Sequence, residues 1–188
     1  MTNGVFSEYE LREMAIKTEG SSAFVNANCV GSCEEELDTK VVSKSCRGVV
    51  VKKKVKGAGT GKLSLSMHIP WEIYTDVYGM NLDTLIDGVK AYGTNSVHKT
   101  FAMTQHVFDE DGDEKFKAYP KCVIETGVSR KIENGAEDVA EIELEVSLMP
   151  DDYGNCVYEA LAEELTDTTA KSKWMTAFEP SMVQVTTA

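Results

Sequence analysis

Long apolar runs are missing from this chain of 188 residues. No stretch approaches the roughly 18 apolar residues of a membrane-spanning helix, so we expect no membrane association. Residues 1–8 do not place a basic region before an apolar core, so we also expect no secretory signal. The five cysteines have irregular spacing, which makes a poor disulfide framework and favours free thiols in a reducing compartment.

Acidic residues are absent between Asp38 and Glu72, although the chain as a whole carries a net charge of -12. We call this stretch the basic island; its charged residues are Lys40, Lys44, Arg47, Lys52, Lys53, Lys54, Lys56 and Lys62. Such segregation is unfavourable in an isolated molecule because like charges repel. It becomes favourable where the basic stretch of one copy meets the acidic surface of another. The pattern therefore predicts self-assembly.

A phosphate-binding loop is suggested by the glycine-rich run at 57–61, which is followed by Lys62, but the motif is incomplete. Lys56 stands where the first glycine is required, and Leu63 stands where a serine or threonine is required. A strand follows, whereas phosphate binding needs a helix N-terminus. We interpret the run as a flexible turn.

Other chemical motifs are also incomplete. Asp109, Asp111 and Asp113 resemble the start of a calcium loop, but Gly112 comes fourth where an EF-hand has its glycine sixth. Cys29 and Cys33 have no second ligand pair at zinc-site spacing. We therefore expect no catalytic residue, no metal site and no cofactor.

Apolar alternation predicts that most of the chain forms strands, as in a mainly β fold. Residues 62–69 alternate strictly, and a valine-rich segment at 40–55 precedes them. The basic island therefore becomes a long hairpin over 41–69 that turns at 56–61. Pro70 and Gly79 bound a predicted helix over 70–79. Ser7 and Glu10 have capping-box spacing, which predicts a short N-terminal helix over 8–17.

The second half of the chain predicts an antiparallel meander over 99–148. Strands at 100–108 and 115–124 flank an Asp-Gly turn. In the last strand of the meander, apolar residues at 142, 144, 146 and 148 alternate with Glu141, Glu143 and Glu145, so the glutamates form a solvated face. Residues 157–165 fit a strand or a helix, 168–178 predict a short helix, and 181–188 form a polar tail. We expect one domain over 1–188, with 1–20 as an N-terminal arm.

The order of these elements resembles the major tail tube proteins of long-tailed, non-contractile bacteriophages, the siphophages and prophages of Gram-positive hosts. The resemblance spans roughly residues 22–185. It lies in the sequences LSLSMHI at 63–69, PWEIYTDVYG at 70–79, MPDDYG at 149–154 and WMTAFEP at 174–180.

The resemblance implies antiparallel sheets in a β-sandwich or barrel-like arrangement with one flanking central helix, and a long hairpin over 41–69 that reaches the neighbouring ring. It also implies a structural subunit of the virion, made and assembled in the cytoplasm of the bacterial host. Six copies would close into a ring, and stacked rings would form a tube through which double-stranded DNA travels without specific binding. Implied partners are further copies of the chain and the tail tip, tape measure and tail terminator proteins. The family has no catalytic residue to carry over.

Two surfaces follow as hypotheses. Lys52, Lys53, Lys54, Lys56 and Lys62 would contact the neighbouring ring, and Glu141, Glu143 and Glu145 would line the lumen. The alternative function is a monomeric ligand-binding β-barrel, which would need an apolar cavity and no charge segregation. No residue pattern supports an enzyme.

Overall fold

An eight-stranded antiparallel sheet dominates the computed structural model, which describes residues 5–132, 134–135 and 139–185. The strands are β1 Glu10–Thr18, β2 Val25–Asn26, β3 Val30–Cys46, β4 Val49–Met67, β5 Phe101–Phe108, β6 Glu114–Ile124, β7 Ile142–Leu148 and β8 Tyr158–Leu161. Two helices accompany them, α1 Trp71–Val77 and α2 Thr168–Ala177, and a 3₁₀ turn spans Pro180–Val183. The prediction of a mainly antiparallel β fold with a flanking helix is confirmed.

The two edge strands of the sheet, β2 and β3, are neighbours in the sequence, so the sheet must curl to bring its edges together. The strand order is β2-β1-β5-β6-β7-β4-β3, with β8 beside the first half of β6. Residues 27–29 alone connect β2 at one edge to β3 at the other. Within this connection the Ala27 amide donates to the Met14 carbonyl oxygen (2.7 Å), and Cys29 accepts from the His68 amide (2.8 Å). The short connection therefore holds β1 and the end of β4 close together.

The inside of the curled sheet is filled by side chains that alternate along the strands. Leu63, Leu65 and Met67 of β4 are buried, as the alternation predicts. Helix α1 packs against this core and buries Ile73, Tyr74 and Val77. The largest fully buried apolar side chains in this core are Met14, Leu63, Met67, Tyr78, Met103, Tyr119 and Leu148.

A second, smaller core lies where α2 packs on the outer face of β6. Phe116 and Ala118 of β6 meet Trp174 and Phe178 there. The indole nitrogen of Trp174 donates to the Lys117 carbonyl oxygen at 3.1 Å, which fixes the helix against the strand. The predicted helix at 168–178 is confirmed, and so is the predicted helix that begins after Pro70.

The predicted N-terminal helix over 8–17 is wrong, because residues 10–18 form β1. This strand pairs with β5 along its length and with β2 at Ala15 and Ile16. Met14, Ala15 and Ile16 are consecutive and all buried, which one face of a helix cannot achieve. A capping box is worth about 1 kcal/mol, so pairing on both sides of the strand outweighs it.

The predicted position of the hairpin turn is also wrong. The chain turns at Arg47 and Gly48, whose φ values of 50° and 81° match a two-residue type I′ turn. The glycine-rich run instead forms a bulge in β4, where residues 58–60 lie opposite Asp38 alone. The hairpin therefore runs over Val30–Met67 and is longer than the predicted 41–69.

The remaining elements agree with the sequence in most places. Strands β5 and β6 and the turn at 109–113 lie where the pattern predicts them. The ambiguous segment 157–165 contains the short strand β8. The polar tail begins with a 3₁₀ turn, and residues 186–188 lie outside the described part of the chain, as do residues 1–4 of the predicted N-terminal arm. Among the described residues no helix is long and apolar enough to cross a membrane.

Candidate functional site

A two-stranded ribbon is the most distinctive surface feature of the molecule. We define the ribbon as residues 39–46 and 49–57, which pair with each other beyond the bulge. All of these residues are exposed. Within the described ranges neither outer edge of the ribbon pairs with another strand. Eight residues of strand make the ribbon about 25 Å long.

The ribbon has two chemically different faces, since paired residues share a face and alternate along each strand. Lys40 pairs with Lys56 and Lys44 pairs with Lys52 on one side, which we call the basic face. Val41 pairs with Val55 on the opposite side, which we call the apolar face. Lys54 and its partner Val42 belong to the basic face. Val51 belongs to the apolar face by alternation, and Val50 joins it because a register shift after Lys44 pairs Val50 with Ser45. The four valines of the apolar face are 51–57% exposed.

The five lysines predicted at an interface are therefore divided by the structure. Lys52, Lys54 and Lys56 lie together on the basic face, whereas Lys53 lies on the apolar face. Lys62 lies on the body of the sheet, where its ammonium is 3.4 Å from the Glu125 carboxylate. Alternation along the strand could have separated Lys53 from its neighbours in the sequence. Only the pairing register shows which lysines of β3 lie on the same face as Lys52, Lys54 and Lys56.

Glu143 and Glu145 lie on the outer face of the sheet, as the sequence predicts. The hydroxyl of Ser64 donates to Glu145 at 2.9 Å, and the hydroxyl of Ser66 donates to Glu141. Register adds two residues that the sequence analysis missed, because Glu34 of β3 pairs with Ser64, and Glu36 pairs with Lys62. We define the acidic face as Glu34, Glu36, Glu141, Glu143 and Glu145. The run of three glutamates at 34–36 hides this alternation, since Glu35 points the other way.

An ionic cluster fixes β3 at the root of the ribbon. The Lys117 ammonium, on a side chain that is 4% exposed, lies 2.7 Å from the Glu35 carboxylate and 3.1 Å from that of Glu8. The hydroxyl of Tyr119 also donates to Glu35. Lys115 contacts Glu8 and Glu159 at 2.9 Å each. The cluster therefore joins β3, β6, β8 and the segment before β1.

The pKa values of the cluster follow from burial and from these contacts. Burial lowers the pKa of Lys117, but the Glu35 and Glu8 carboxylates outweigh it and the net shift is upward. Burial also raises the pKa of Glu8, and the ammonium groups of Lys115 and Lys117 reverse that effect, so the pKa is lowered. Burial and Glu35 raise the pKa of Tyr119 well above its usual value. The charges of Glu8 and Lys117 are thus stabilised in their ordinary ionised forms and Tyr119 stays neutral, which is typical of a structural cluster.

The cysteines and acidic residues do not form a metal centre in the part of the chain that the structure describes. All five cysteines lie in this part and carry free thiols. Burial raises the pKa of the Cys122 thiol, which keeps it protonated and unreactive. Cys46 is exposed beside the ribbon turn.

Comparison with solved structures gives ten matching chains, and the two that follow are distant in sequence. No family model matches the chain, and no curated protein sequence matches it. The tube-terminating cap of the anti-feeding prophage has a TM-score of 0.41 and 9% identity, covering 86% of this chain and 98% of that one. A chain of the sheath–tube complex of an extracellular contractile injection system, PVC, in its extended state has a TM-score of 0.44 and 10% identity, covering 80% and 90%.

Proposed function

We propose that this chain is a structural subunit of a bacteriophage tail tube, in which copies close into rings, six to a ring, that stack around a DNA channel. The observation that carries the proposal is the exposed ribbon with one basic and one apolar face. The resemblance of the sequence to tube proteins of non-contractile tails supports the same assignment. Tail tip, tape measure and tail terminator proteins would be the partners of this tube, at its ends and in its channel.

The ribbon is poorly stabilised in an isolated molecule. Its four apolar-face valines remain about half exposed, and completing their burial against a partner is worth about 3–6 kcal/mol before the entropic cost of association. A two-stranded hairpin without further packing is at best marginally stable in water. A neighbouring copy would supply the missing packing for the apolar face and carboxylates for the basic face.

Ring closure would also satisfy the open sheet edge. In the described part of the chain, the outer edge of β3 has no strand partner along its length from Val30 to Cys46. An exposed edge of this length is a template for pairing with another chain. Identical subunits in a closed ring pair all such edges, and a heterologous contact between rings extends the assembly without limit.

The acidic face is a suitable lining for a DNA channel. Its five carboxylates repel the phosphate backbone, and contacts from cationic side chains to phosphate are what make DNA adhere to a protein. Strand β3 presents two of them, and β7 with the residue before it presents the other three, so a ring of copies would carry a negative band. Placement of this face on the lumen side is part of the proposal.

The ligand-binding alternative needs an apolar cavity, and the interior of the curled sheet is filled by large side chains such as Met14, Met67 and Tyr119. Electron microscopy and sedimentation of the purified protein at several concentrations separate the two functions. We expect rings or tubes that grow with concentration. Protein that remains monomeric at high concentration, even with tail tip proteins added, would contradict the tube proposal.

The contribution of the ribbon is tested by charge reversal on each face. Changing Lys52, Lys53 and Lys54 together to glutamate should abolish tube growth while the fold remains intact. The double variant K52E/K54E, which alters the basic face alone, should have nearly the same effect. The single variant K53E changes the apolar face and serves as the comparison. Normal growth of the triple variant would show that the ribbon does not join rings.

A further inference from the structure

An open cleft of about 500 Å³ lies between the end of β1 and the segment that follows α2. Phe101 and Phe178, both buried, and Pro120 form its apolar floor. Its rim carries four carboxylates and two lysines, and Lys17 is already bound to Glu179 at 2.8 Å. The cleft is therefore apolar inside and acidic at the entrance.

The acidic rim is held in place by local hydrogen bonds. Glu19 accepts from the Thr100 hydroxyl at 2.7 Å. The Asp151 carboxylate accepts from the amides of Tyr153 and Asn155 and from the Tyr158 hydroxyl, which shapes the turn that presents Asp152. Asp152 is exposed on this turn. Glu19 and Asp152 thus both line the cleft, from different segments of the chain, and neither has a cation bound to it in the contacts described.

The tip of the ribbon has the complementary composition. Arg47 occupies the two-residue turn at the end of the ribbon in a left-handed conformation (φ 50°), which is uncommon outside glycine and asparagine. Lys44 and Lys52 form the third residue pair from the turn, and Val49 beside the turn is 65% exposed. A guanidinium presents a planar set of donors that suits carboxylates better than an ammonium does.

We infer that this cleft receives the ribbon tip of a second copy of the chain, with Val49 on the apolar floor and Arg47 between Glu19 and Asp152. This inference rests on the proposed function and names the surface that the ribbon contacts. The volume is in the range of pockets that bury a compact group, so it suits a turn rather than a whole strand pair.

The occupant must come from another molecule. The base of the ribbon lies at the edge of the cleft, where a Cβ on Gly59 would be 2.9 Å from the Gly154 carbonyl oxygen. The tip stands about 25 Å further along a continuously paired ribbon and cannot fold back without breaking that pairing. Tip and cleft are different surfaces of one chain, so their contact is heterologous and repeats from copy to copy.

Charge exchange between tip and cleft tests the inference. The tip variant K44E/R47E and the cleft variant E19K/D152K should each raise the protein concentration needed for assembly by at least about tenfold, because opposing charges become like charges. The matched control D83K/D87K makes the same charge change at exposed sites away from the cleft and should assemble normally. Thermal unfolding of all variants checks that they are folded.

Mixing supplies the decisive result. An acidic tip can enter a basic cleft, and a basic tip can enter an acidic cleft, so an equimolar mixture of the two variants should assemble at the wild-type concentration, although neither variant does so alone. Assembly of the cleft variant at the wild-type concentration, or failure of the mixture, would overturn the inference. If wild-type protein does not assemble at all, the proposed function fails; if growth needs the ribbon but tolerates E19K/D152K, only the assignment of the cleft fails.

Discussion

Replacing Lys117 by methionine removes the cation at the centre of the ionic cluster and leaves a side chain of similar length. Glu35, whose side chain is 18% exposed, then loses its ion pair at 2.7 Å. Removing one partner from a buried pair costs about 3–5 kcal/mol, and the partial exposure of Glu35 reduces this to about 2–4 kcal/mol. For a protein of this size that loss lowers the melting temperature by about 5–15 °C.

A double-mutant cycle separates the ion pair from the rest of the site. The variant E35Q keeps an oxygen that can accept from the Tyr119 hydroxyl, and K117M/E35Q contains no unpaired charge at this contact. We expect the double variant to be more stable than K117M alone by at least about 1 kcal/mol, measured by urea unfolding followed through tryptophan fluorescence. K115M, which removes a more exposed cation, should cost less than K117M. A loss below about 1 kcal/mol for K117M, or a double variant no better than the single one, would refute the reasoning.

Three further predictions concern stability. The lowered pKa of Glu8 stabilises the folded state above its ordinary value of 4.5, and this stability is lost as the pH falls. The raised pKa of Lys117 stabilises the folded state below its ordinary value of 10.5, and this stability is lost as the pH rises. The urea midpoint of unfolding should therefore decrease at both pH limits, with the alkaline decrease smaller in K117M. The variant G79A combines a positive φ of 61° with a clash against the Val97 carbonyl oxygen and should cost more than about 2 kcal/mol of stability. The variant G88A has a positive φ of 85° in open space and should cost about 1 kcal/mol. Equal losses of stability for the two variants in calorimetry would contradict this. D167A removes the acceptor for the Thr169 and Ala170 amides at the start of α2 and should cost about 1 kcal/mol in thermal unfolding, while D167N should retain most of the stability.

The strands of the second half of the sheet could be predicted from sequence because their chemistry is local. In β7 buried residues alternate with exposed or half-buried ones, so period-two alternation is visible without knowledge of the partner strands. The Asp-Gly turn between β5 and β6 likewise depends on residues adjacent in the chain. The start of helix α2 is also decided locally, because the side chain of Asp167, the residue before the helix, accepts hydrogen bonds from the Thr169 and Ala170 amides.

The N-terminal strand and the ribbon turn could not be predicted, since distant contacts decide them. The partners of β1 are residues 101–108, about ninety positions away, and they override a local capping signal. Arg47 is an unusual residue for a type I′ turn, while the glycines at 57–61 are typical turn residues used here in a bulge. The cleft joins segments from five parts of the chain, and Lys117 contacts Glu35 across 82 positions.

The two-residue turn at Arg47 and Gly48 also determines the order in which the chain can fold during synthesis. Strands β3 and β4 can pair as soon as residue 67 has left the ribosome, because hairpin contacts are local and form in microseconds. β1 must wait for residues 101–108, a delay of several seconds at ordinary elongation rates. The valine-rich ribbon is therefore exposed in the nascent chain before its sheet exists, and the lysines that interrupt its valines act as gatekeepers against premature aggregation.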